Sequence, residues 1–149
     1  MTAKDIAVEH IETLRQGLAD WERYKRTYKL KELKNNRDIQ NMVLHALLLT
    51  IQSCIDTTNY LIAHFGLPKA NTYRESFEIL SSHGYLNEEI VSELQDLAAF
   101  RNVLVHVYWR LDLDRVYEIL QTNFQFVYRF FEEVREFLNE NETKNSKTN

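Results

Sequence analysis

The stretch from Arg37 to Phe65 constrains the fold more than any other part of the chain. It contains no glycine or proline, and its middle, from Met42 to Ile55, is apolar on more than one side. A helix that is apolar all round must be covered by neighbours on several sides. We therefore predict a long central helix that ends at Gly66, with Pro68 just beyond. A short bundle has few helices to cover it, which points towards a homodimer.

The composition favours an all-α fold. Three glycines and one proline in 149 residues are too few for a sheet-rich protein with many turns. A chain of this length can bury one core, so we predict a single antiparallel helical domain over residues 1–139. The polar residues 140–149 are expected to form a disordered tail. About five helices are predicted, at Ala3 to Leu33, Arg37 to Phe65, Tyr73 to Ser82, Glu88 to Tyr108, and Asp112 or Asp114 to Leu138.

Residues that favour helix ends mark these boundaries. Asn36 and Asn87 are predicted N-caps, because their side chains can accept hydrogen bonds from the free amides of a first turn. Thr72 and Glu75 have the spacing of a capping box, in which each side chain satisfies an amide near the other residue. Gly84 is predicted to end the helix that they begin.

The charge is unevenly distributed. The net charge is −4, so the domain as a whole is not a nucleic-acid binder. The segment from Trp21 to Arg37 nevertheless holds seven basic residues against Glu22 and Glu32, which is +5 locally and leaves −4 − 5 = −9 elsewhere. It is either a solvated helix face or a local phosphate-attracting patch. The basic residues are Arg23, Lys25, Arg26, Lys29, Lys31, Lys34 and Arg37.

Cysteine usage and hydropathy predict a cytoplasmic protein. Cys54 is the one cysteine, which excludes an internal disulfide and a four-cysteine zinc site. It lies in an apolar run and is predicted to be a buried, unreactive thiol. No apolar signal core opens the chain, and no apolar stretch is long enough to cross a bilayer. We expect no contact with a membrane.

Four polar side chains interrupt the apolar segment from Arg101 to Trp109. Arg101 and Tyr108 fall on the stripe of the predicted helix where core residues are expected, and they lie nearly two turns apart on one side. Asn102 and His106 lie one turn apart on an adjacent side. Burying an arginine without partners is costly, so this set must find partners, water or a ligand.

The chemistry that this set supports is cleavage of a phosphodiester without a metal or cofactor. The five histidines are scattered and form no HExxH motif, and phosphate-binding glycine loops and serine elbows are absent. His106 would transfer the proton of an RNA 2′-hydroxyl or of the leaving oxygen. Arg101 would hold the phosphate and Asn102 would orient it, and RNA would supply its own nucleophile.

The spacing alone does not decide between this catalytic role and a purely structural role for the same residues. Arg101 would then pair with a buried acid such as Asp56, and His106 would be a core histidine with its hydrogen bonds satisfied. Tyr108 would be a core aromatic with its hydroxyl at the rim.

The order Arg101-Asn102, His106 and Tyr108 resembles the signature of HepT-type HEPN toxins. The resemblance covers about residues 37 to 120. Segments outside the motif that extend it are Arg37-Asp38-Ile39, Ile51 to Asp56 with Asn59, Tyr73 to Phe77, and Phe100. Together with these flanks the motif is specific, whereas Arg-x4-His alone would be weak.

The resemblance implies a function as well as a fold. It implies a symmetric HEPN homodimer whose two motifs form one composite, metal-independent ribonuclease site. It also implies a toxin paired with an MntA-type nucleotidyltransferase antitoxin, which neutralises it by moving AMP from ATP to Tyr108. The alternatives are a non-catalytic HEPN module that binds a nucleotide or docks a nucleotidyltransferase, and a plain helical interaction protein in which Arg101 forms an ion pair.

Overall fold

The computed structural model describes the backbone of residues 3–147 and the side chains of residues 6–107 and 109–139. The regular secondary structure of this part of the chain consists of helices joined by short connections, which confirms the all-α prediction. Its seven α-helices are α1 (Ala3–Thr27), α2 (Leu30–Asn35), α3 (Arg37–His64), α4 (Tyr73–Ser82), α5 (Glu88–His106), α6 (Leu113–Thr122) and α7 (Phe124–Lys147), with a 3-10 helix at Tyr108–Arg110.

The prediction of one helix from Ala3 to Leu33 is wrong, because the helix breaks at Tyr28 and Lys29. Lys29 is extended, and its amide donates to Glu32 Oε1 at 3.1 Å, which caps α2. If α1 continued unbroken, Leu33 would lie one position off the line of apolar residues that α1 buries. The break turns α2 so that Leu33 reaches the core, where it is fully buried.

The last predicted helix is also two helices, divided at Asn123. Here a side-chain bond and a shorter-range backbone bond are found at the break. Gln125 Nε2 donates to the carbonyl of Thr122 at 3.3 Å, while the Phe126 amide bonds to Asn123 O at 3.3 Å. The apolar spacing continues across the break, so the pattern of buried residues does not reveal it. Helix α7 continues to Lys147, beyond the predicted end at Leu138.

The described side chains end at Asn139. The side chains of the predicted tail, residues 140–149, lie outside the described residues, and the disorder expected there stays a prediction.

Helix α3 is the central helix, as predicted. Every other α-helix of the described chain contacts it. Its closest neighbour is α1, where Gly17 packs against the fully buried Thr50. The Thr50 hydroxyl donates to Ala46 O at 2.7 Å within α3, so it is satisfied without leaving the interface.

Most of the predicted helix ends are confirmed. Asn36 accepts hydrogen bonds from the amides of Asp38 and Ile39 at 2.9 and 3.1 Å. Asn87 and Asp112 cap α5 and α6 in the same way. Gly66 and Gly84 follow α3 and α4 with φ values of 63° and 82°, a left-handed conformation that glycine adopts without strain.

The capping box at α4 is only half right. Thr72 Oγ1 accepts from the Glu75 amide at 3.1 Å, as predicted. The Glu75 carboxylate does not accept from the Thr72 amide, as a capping box requires. It accepts from the Asn71 amide at 2.6 Å instead.

Cys54 is buried in α3, and burial raises the pKa of its thiol far above the usual range. The predicted burial of this thiol is therefore confirmed, and its lack of reactivity stays a prediction. None of the described helices is both long and apolar enough to serve as a membrane span.

Candidate functional site

The site is built where α5 ends. The sequence predicts a helix to about Tyr108, but α5 stops at His106 and Val107 leaves the helical conformation. Val103, Val105 and Val107 are β-branched, which lowers the helical preference of this last turn. A 3-10 helix follows, in which the Arg110 amide donates to Val107 O at 2.9 Å. Tyr108 opens this 3-10 helix, and its side chain lies outside the described residues.

Arg101 is held by Gln52 of α3. Arg101 Nε donates to Gln52 Oε1 at 2.7 Å, and Gln52 Nε2 donates to Asp56 Oδ1 at 2.9 Å. The alternative in which Arg101 pairs directly with an acid such as Asp56 is wrong for Asp56, because the amide of Gln52 separates the two charges.

Asn102 completes the support of the guanidinium. Arg101 Nη1 donates to Asn102 Oδ1 at 3.2 Å. A guanidinium carries five N–H donors, and these two bonds use only two of them among the described residues. The Nη2 group of Arg101 therefore has no hydrogen-bond acceptor among the described residues.

His106 is exposed at the end of α5, and no described residue forms a hydrogen bond with its ring. The interpretation as a satisfied core histidine is therefore wrong. Asn102, one turn earlier, is exposed on the same side. Both can reach a ligand that lies on the outside of α5.

Arg101 and His106 do not converge within one copy. Five helical residues separate their directions by about 140° and their Cα atoms by about 7.5 Å along the axis. Arg101 turns towards α3, whereas His106 turns outwards. One chain therefore presents the two groups on different sides of α5 rather than around one point.

Exposed apolar side chains surround the motif. Val103 and Val105 on α5 are 43% and 38% exposed, and Trp109 is 66% exposed. On α3, Met42, Leu49 and Gln52 recur at helical spacing on the face that reaches Arg101, and Leu49 is 37% exposed. We call the exposed and partly exposed residues of α3 from Met42 to Gln52 and of α5 from Arg101 to His106 the motif face.

Helices α3 and α5 run antiparallel across this face. Gln95 of α5 bonds to Arg74, and Ser76 of the same helix α4 bonds to Asn59 of α3. Further along α5, Arg101 bonds to Gln52, which lies earlier in α3. His106 therefore lies towards the beginning of α3.

Gln52 is a partner of Arg101 that the sequence did not single out, since it was named there only within a segment flanking the motif. Its position carried a signal, because it is a polar residue on the α3 face that also bears Met42 and Leu49. Among the described residues, no three His, Cys, Asp or Glu side chains are grouped as a metal site requires.

Comparison with known proteins identifies the family. The model of the family described as ribonuclease HepT-like matches residues 14–134. The chain belongs to this family. The predicted HepT-type resemblance is thereby confirmed, and with it the assignment to ribonucleases.

Individual relatives agree with this family. The mRNA nuclease HepT of Shewanella oneidensis is 24% identical over 134 residues, which cover 88% of this chain and 97% of that protein. Among solved structures, the tri-AMPylated Shewanella oneidensis HEPN toxin in complex with an MNT antitoxin matches with a TM-score of 0.79. It is 22% identical, and the match covers 91% of this chain and 99% of that one.

A third structure shows how far the fold extends. YutE of Bacillus subtilis, a cytosolic protein of unknown function, matches with a TM-score of 0.72 at 19% identity, over 87% of this chain and 91% of its own. These structural matches confirm the HEPN-type helical fold.

Proposed function

We propose that this chain is the toxin of a toxin–antitoxin pair and cleaves RNA without a metal, at a site completed by two copies. The observation that carries the proposal is the Arg101 guanidinium, fixed by Gln52 and Asn102, on the same helix that ends at the exposed His106. The family is one of ribonucleases, and the relative from Shewanella oneidensis is an mRNA nuclease.

The residues have distinct roles in this reaction. His106 takes the proton of the 2′-hydroxyl, whose oxygen attacks the adjacent phosphorus, or it protonates the 5′-oxygen that leaves. The products are a 2′,3′-cyclic phosphate and a free 5′-hydroxyl. Arg101 stabilises the charge that gathers on the phosphoryl oxygens, and Asn102 orients both Arg101 and the substrate.

A second copy supplies what one copy lacks. The motif face combines apolar residues such as Val103 and Leu49, which favour association, with Arg101 and His106. A twofold axis through this face brings each motif opposite its equivalent in the partner. The arginine of one copy can then act with the histidine of the other.

An MntA-type nucleotidyltransferase is proposed as the antitoxin. It would transfer AMP from ATP to the hydroxyl of Tyr108, forming a phosphodiester and releasing pyrophosphate. Tyr108 follows His106 by two residues, at the start of the 3-10 helix. A bulky anion attached here would fill the space beside the motif and neutralise the positive charge of Arg101. A cytoplasmic location fits this role.

Cleavage of a labelled RNA in the presence of a chelator tests the enzymatic proposal. The parent should cut, and His106→Ala and Arg101→Ala should each lose cleavage. His83→Ala is the matched control, because His83 is exposed and bonds only near the end of α4. Equal cleavage by the parent and His106→Ala would refute the role of His106.

The dimer is tested by sedimentation equilibrium. Leu49→Glu places a charge on the motif face and should yield monomers. Val8→Glu places the same charge on α1, at another exposed apolar residue, and should leave the dimer intact. A monomeric parent protein would refute the composite site.

The antitoxin assignment is tested by intact mass after co-expression with a nucleotidyltransferase. The parent should gain whole AMP increments, and Tyr108→Phe should gain none. An unmodified parent, together with unimpaired cleavage, would contradict neutralisation by AMP transfer.

The second candidate is a non-catalytic module that binds a nucleotide or docks a nucleotidyltransferase. The net charge of −4 favours it, since RNA is repelled by an acidic protein. This candidate predicts that the purified parent binds the partner and cuts no RNA, with or without the chelator.

A further inference from the structure

The basic segment that ends α1 and forms α2 has no part in the site described above. Three of its cations are neutralised by carboxylates. Arg23 pairs with Asp20 at 3.0 Å, and Lys34 pairs with Asp114 at 2.9 Å. Arg26 lies 3.9 Å from Glu22.

Four cations of the segment have no carboxylate partner among the described residues. Lys29, Lys31 and Arg37 are exposed, and Lys25 lies over the ring of Phe124 at 5.5 Å. Glu32 does not neutralise them directly, because its carboxylate accepts from the Lys29 amide at the start of α2. We call Lys25, Lys29, Lys31 and Arg37 the basic strip.

Aromatic rings lie next to the basic strip. Tyr24 and Tyr28, one turn apart at the end of α1, have ring centroids 6.0 Å apart and are partly exposed. The guanidinium of Arg23 covers one of them, 5.0 Å from the Tyr24 centroid. Cations with adjacent aromatic rings are the combination that binds single-stranded nucleic acid, through phosphates and base stacking.

The strip lies at the end of the bundle where the motif ends. The ion pair between Lys34 and Asp114 joins α2 to the first turn of α6. Asp114 follows His106 by eight residues, which span at most about 29 Å when fully extended. The 3-10 helix shortens this path, and Arg110 lies along it. An RNA of several nucleotides can therefore reach from the motif to the strip.

The charge on the rest of the molecule also favours RNA that runs from the motif to the basic strip. The segment from Trp21 to Arg37 carries +5, whereas the remainder carries −9, since the total is −4. RNA is repelled by the acidic remainder and attracted by the strip. A substrate that leaves the motif is thereby directed towards α2.

We propose that the basic strip is a second binding surface for the RNA substrate and holds single-stranded RNA beyond the cleavage point. This inference rests on the proposed ribonuclease function and adds where the substrate extends. The strip binds phosphates without reading sequence, so it strengthens binding of long RNA and leaves the chemical step unchanged.

The test compares two triple variants of the full-length protein. In the first, Lys29, Lys31 and Arg37 are changed to alanine. In the matched control, Arg15, Lys69 and Arg135, which are exposed elsewhere, are changed to alanine, so that both variants lose the same charge. Unfolding temperatures of both variants establish that any difference is one of binding.

The substrates are a long unstructured RNA and a dinucleotide too short to span the two surfaces. For the first variant we expect KM for the long RNA to rise about 10- to 100-fold at 0.1 M salt, with kcat unchanged. The slope of the logarithm of the RNA association constant against the logarithm of salt concentration should become shallower by about 2. Each phosphate that a cation neutralises contributes about 0.7 to this slope, and the variant lacks three cations. Cleavage of the dinucleotide should be unchanged, and the control should behave like the parent.

Binding of the long RNA to the His106→Ala protein separates this inference from the proposed function. If the His106→Ala protein loses affinity for RNA when the three strip residues are also changed to alanine, the strip binds RNA. This result would hold even if the parent cuts no RNA. Equal affinity and equal KM in the strip variant and the control would overturn the inference. Loss of binding to a nucleotidyltransferase, with RNA binding intact, would overturn it in favour of a protein-docking surface.

Discussion

Removing the side chain of Gln52 should disable the site without removing any motif residue. In Gln52→Ala the Arg101 Nε loses its acceptor at 2.7 Å, and the amide bridge between Arg101 and Asp56 disappears. The guanidinium is then free to swing towards the Asp56 carboxylate and away from the substrate. We expect kcat/KM for RNA to fall while the fold remains intact.

The magnitude follows from the kind of hydrogen bond. A bond from a charged donor contributes about 1.5–3 kcal/mol, and the partial exposure of Gln52 favours the lower end. About 1.5 kcal/mol corresponds to roughly a tenfold loss in rate. The same bond also forms in the folded protein without substrate, so the free energy of unfolding should fall by a similar amount, at most about 1.5 kcal/mol.

The assay is steady-state cleavage of RNA together with thermal unfolding. Gln16→Ala is the matched control, because Gln16 is exposed on α1 and bonds only to Glu12 of its own helix. Gln52→Glu keeps an acceptor but adds a negative charge that competes with the phosphate, so it should not restore the rate. A Gln52→Ala protein that cuts RNA as fast as the parent would refute the positioning role.

Three further predictions concern the fold. Gly17→Ala should lower the free energy of unfolding by about 1–2 kcal/mol, because a Cβ there collides with Thr50 Oγ1, and Thr50→Ala should recover part of this loss in the double mutant. Glu133→Gln should raise Tm at neutral pH, because burial raises the pKa of the Glu133 carboxyl and its ionisation therefore opposes folding. This gain in Tm should shrink as the pH falls through the raised pKa of Glu133. It should vanish below the pKa of a glutamate in the unfolded chain, about 4.3. A gain in Tm that does not depend on pH would contradict the prediction. Cys54 should react with a thiol reagent only after unfolding, and rapid labelling of the native protein would contradict its burial.

Local signals in the sequence located most helix ends correctly. Asn36 and Asn87 are N-caps because a short side-chain oxygen reaches the free amides of the next turn, a property that neighbours in space do not change. The central position of α3 was also predictable, because a helix with apolar residues on several sides fits only the middle of a bundle.

The breaks inside the first and last predicted helices were not predictable from periodicity. At Asn123 the apolar spacing continues through the break, so periodicity carries no sign of it, and the bond from Gln125 to Thr122 is visible only in the structure. At Lys29 the break depends on Leu33 reaching a core that only the complete fold defines. The predicted number of helices was therefore too low, although the buried faces were largely right.

The contacts of the candidate site residues could not be predicted from the sequence, although the residues themselves could be singled out. Arg101 and His106 stood out because they interrupt an apolar segment. The partner of Arg101 could not be deduced from one helix, since Gln52 lies 49 positions away on α3. Spacing alone suggested Asp56, which is one turn further along and reaches Arg101 only through Gln52.

Activity of a mixed dimer tests the composite site most directly. Arg101→Ala and His106→Ala are placed in separate, differently tagged chains, and each homodimer lacks one essential group and should be inactive. The purified heterodimer holds one arginine and one histidine from opposite copies, so we predict that it cuts RNA. A heterodimer as inactive as both homodimers would contradict a site shared between two copies.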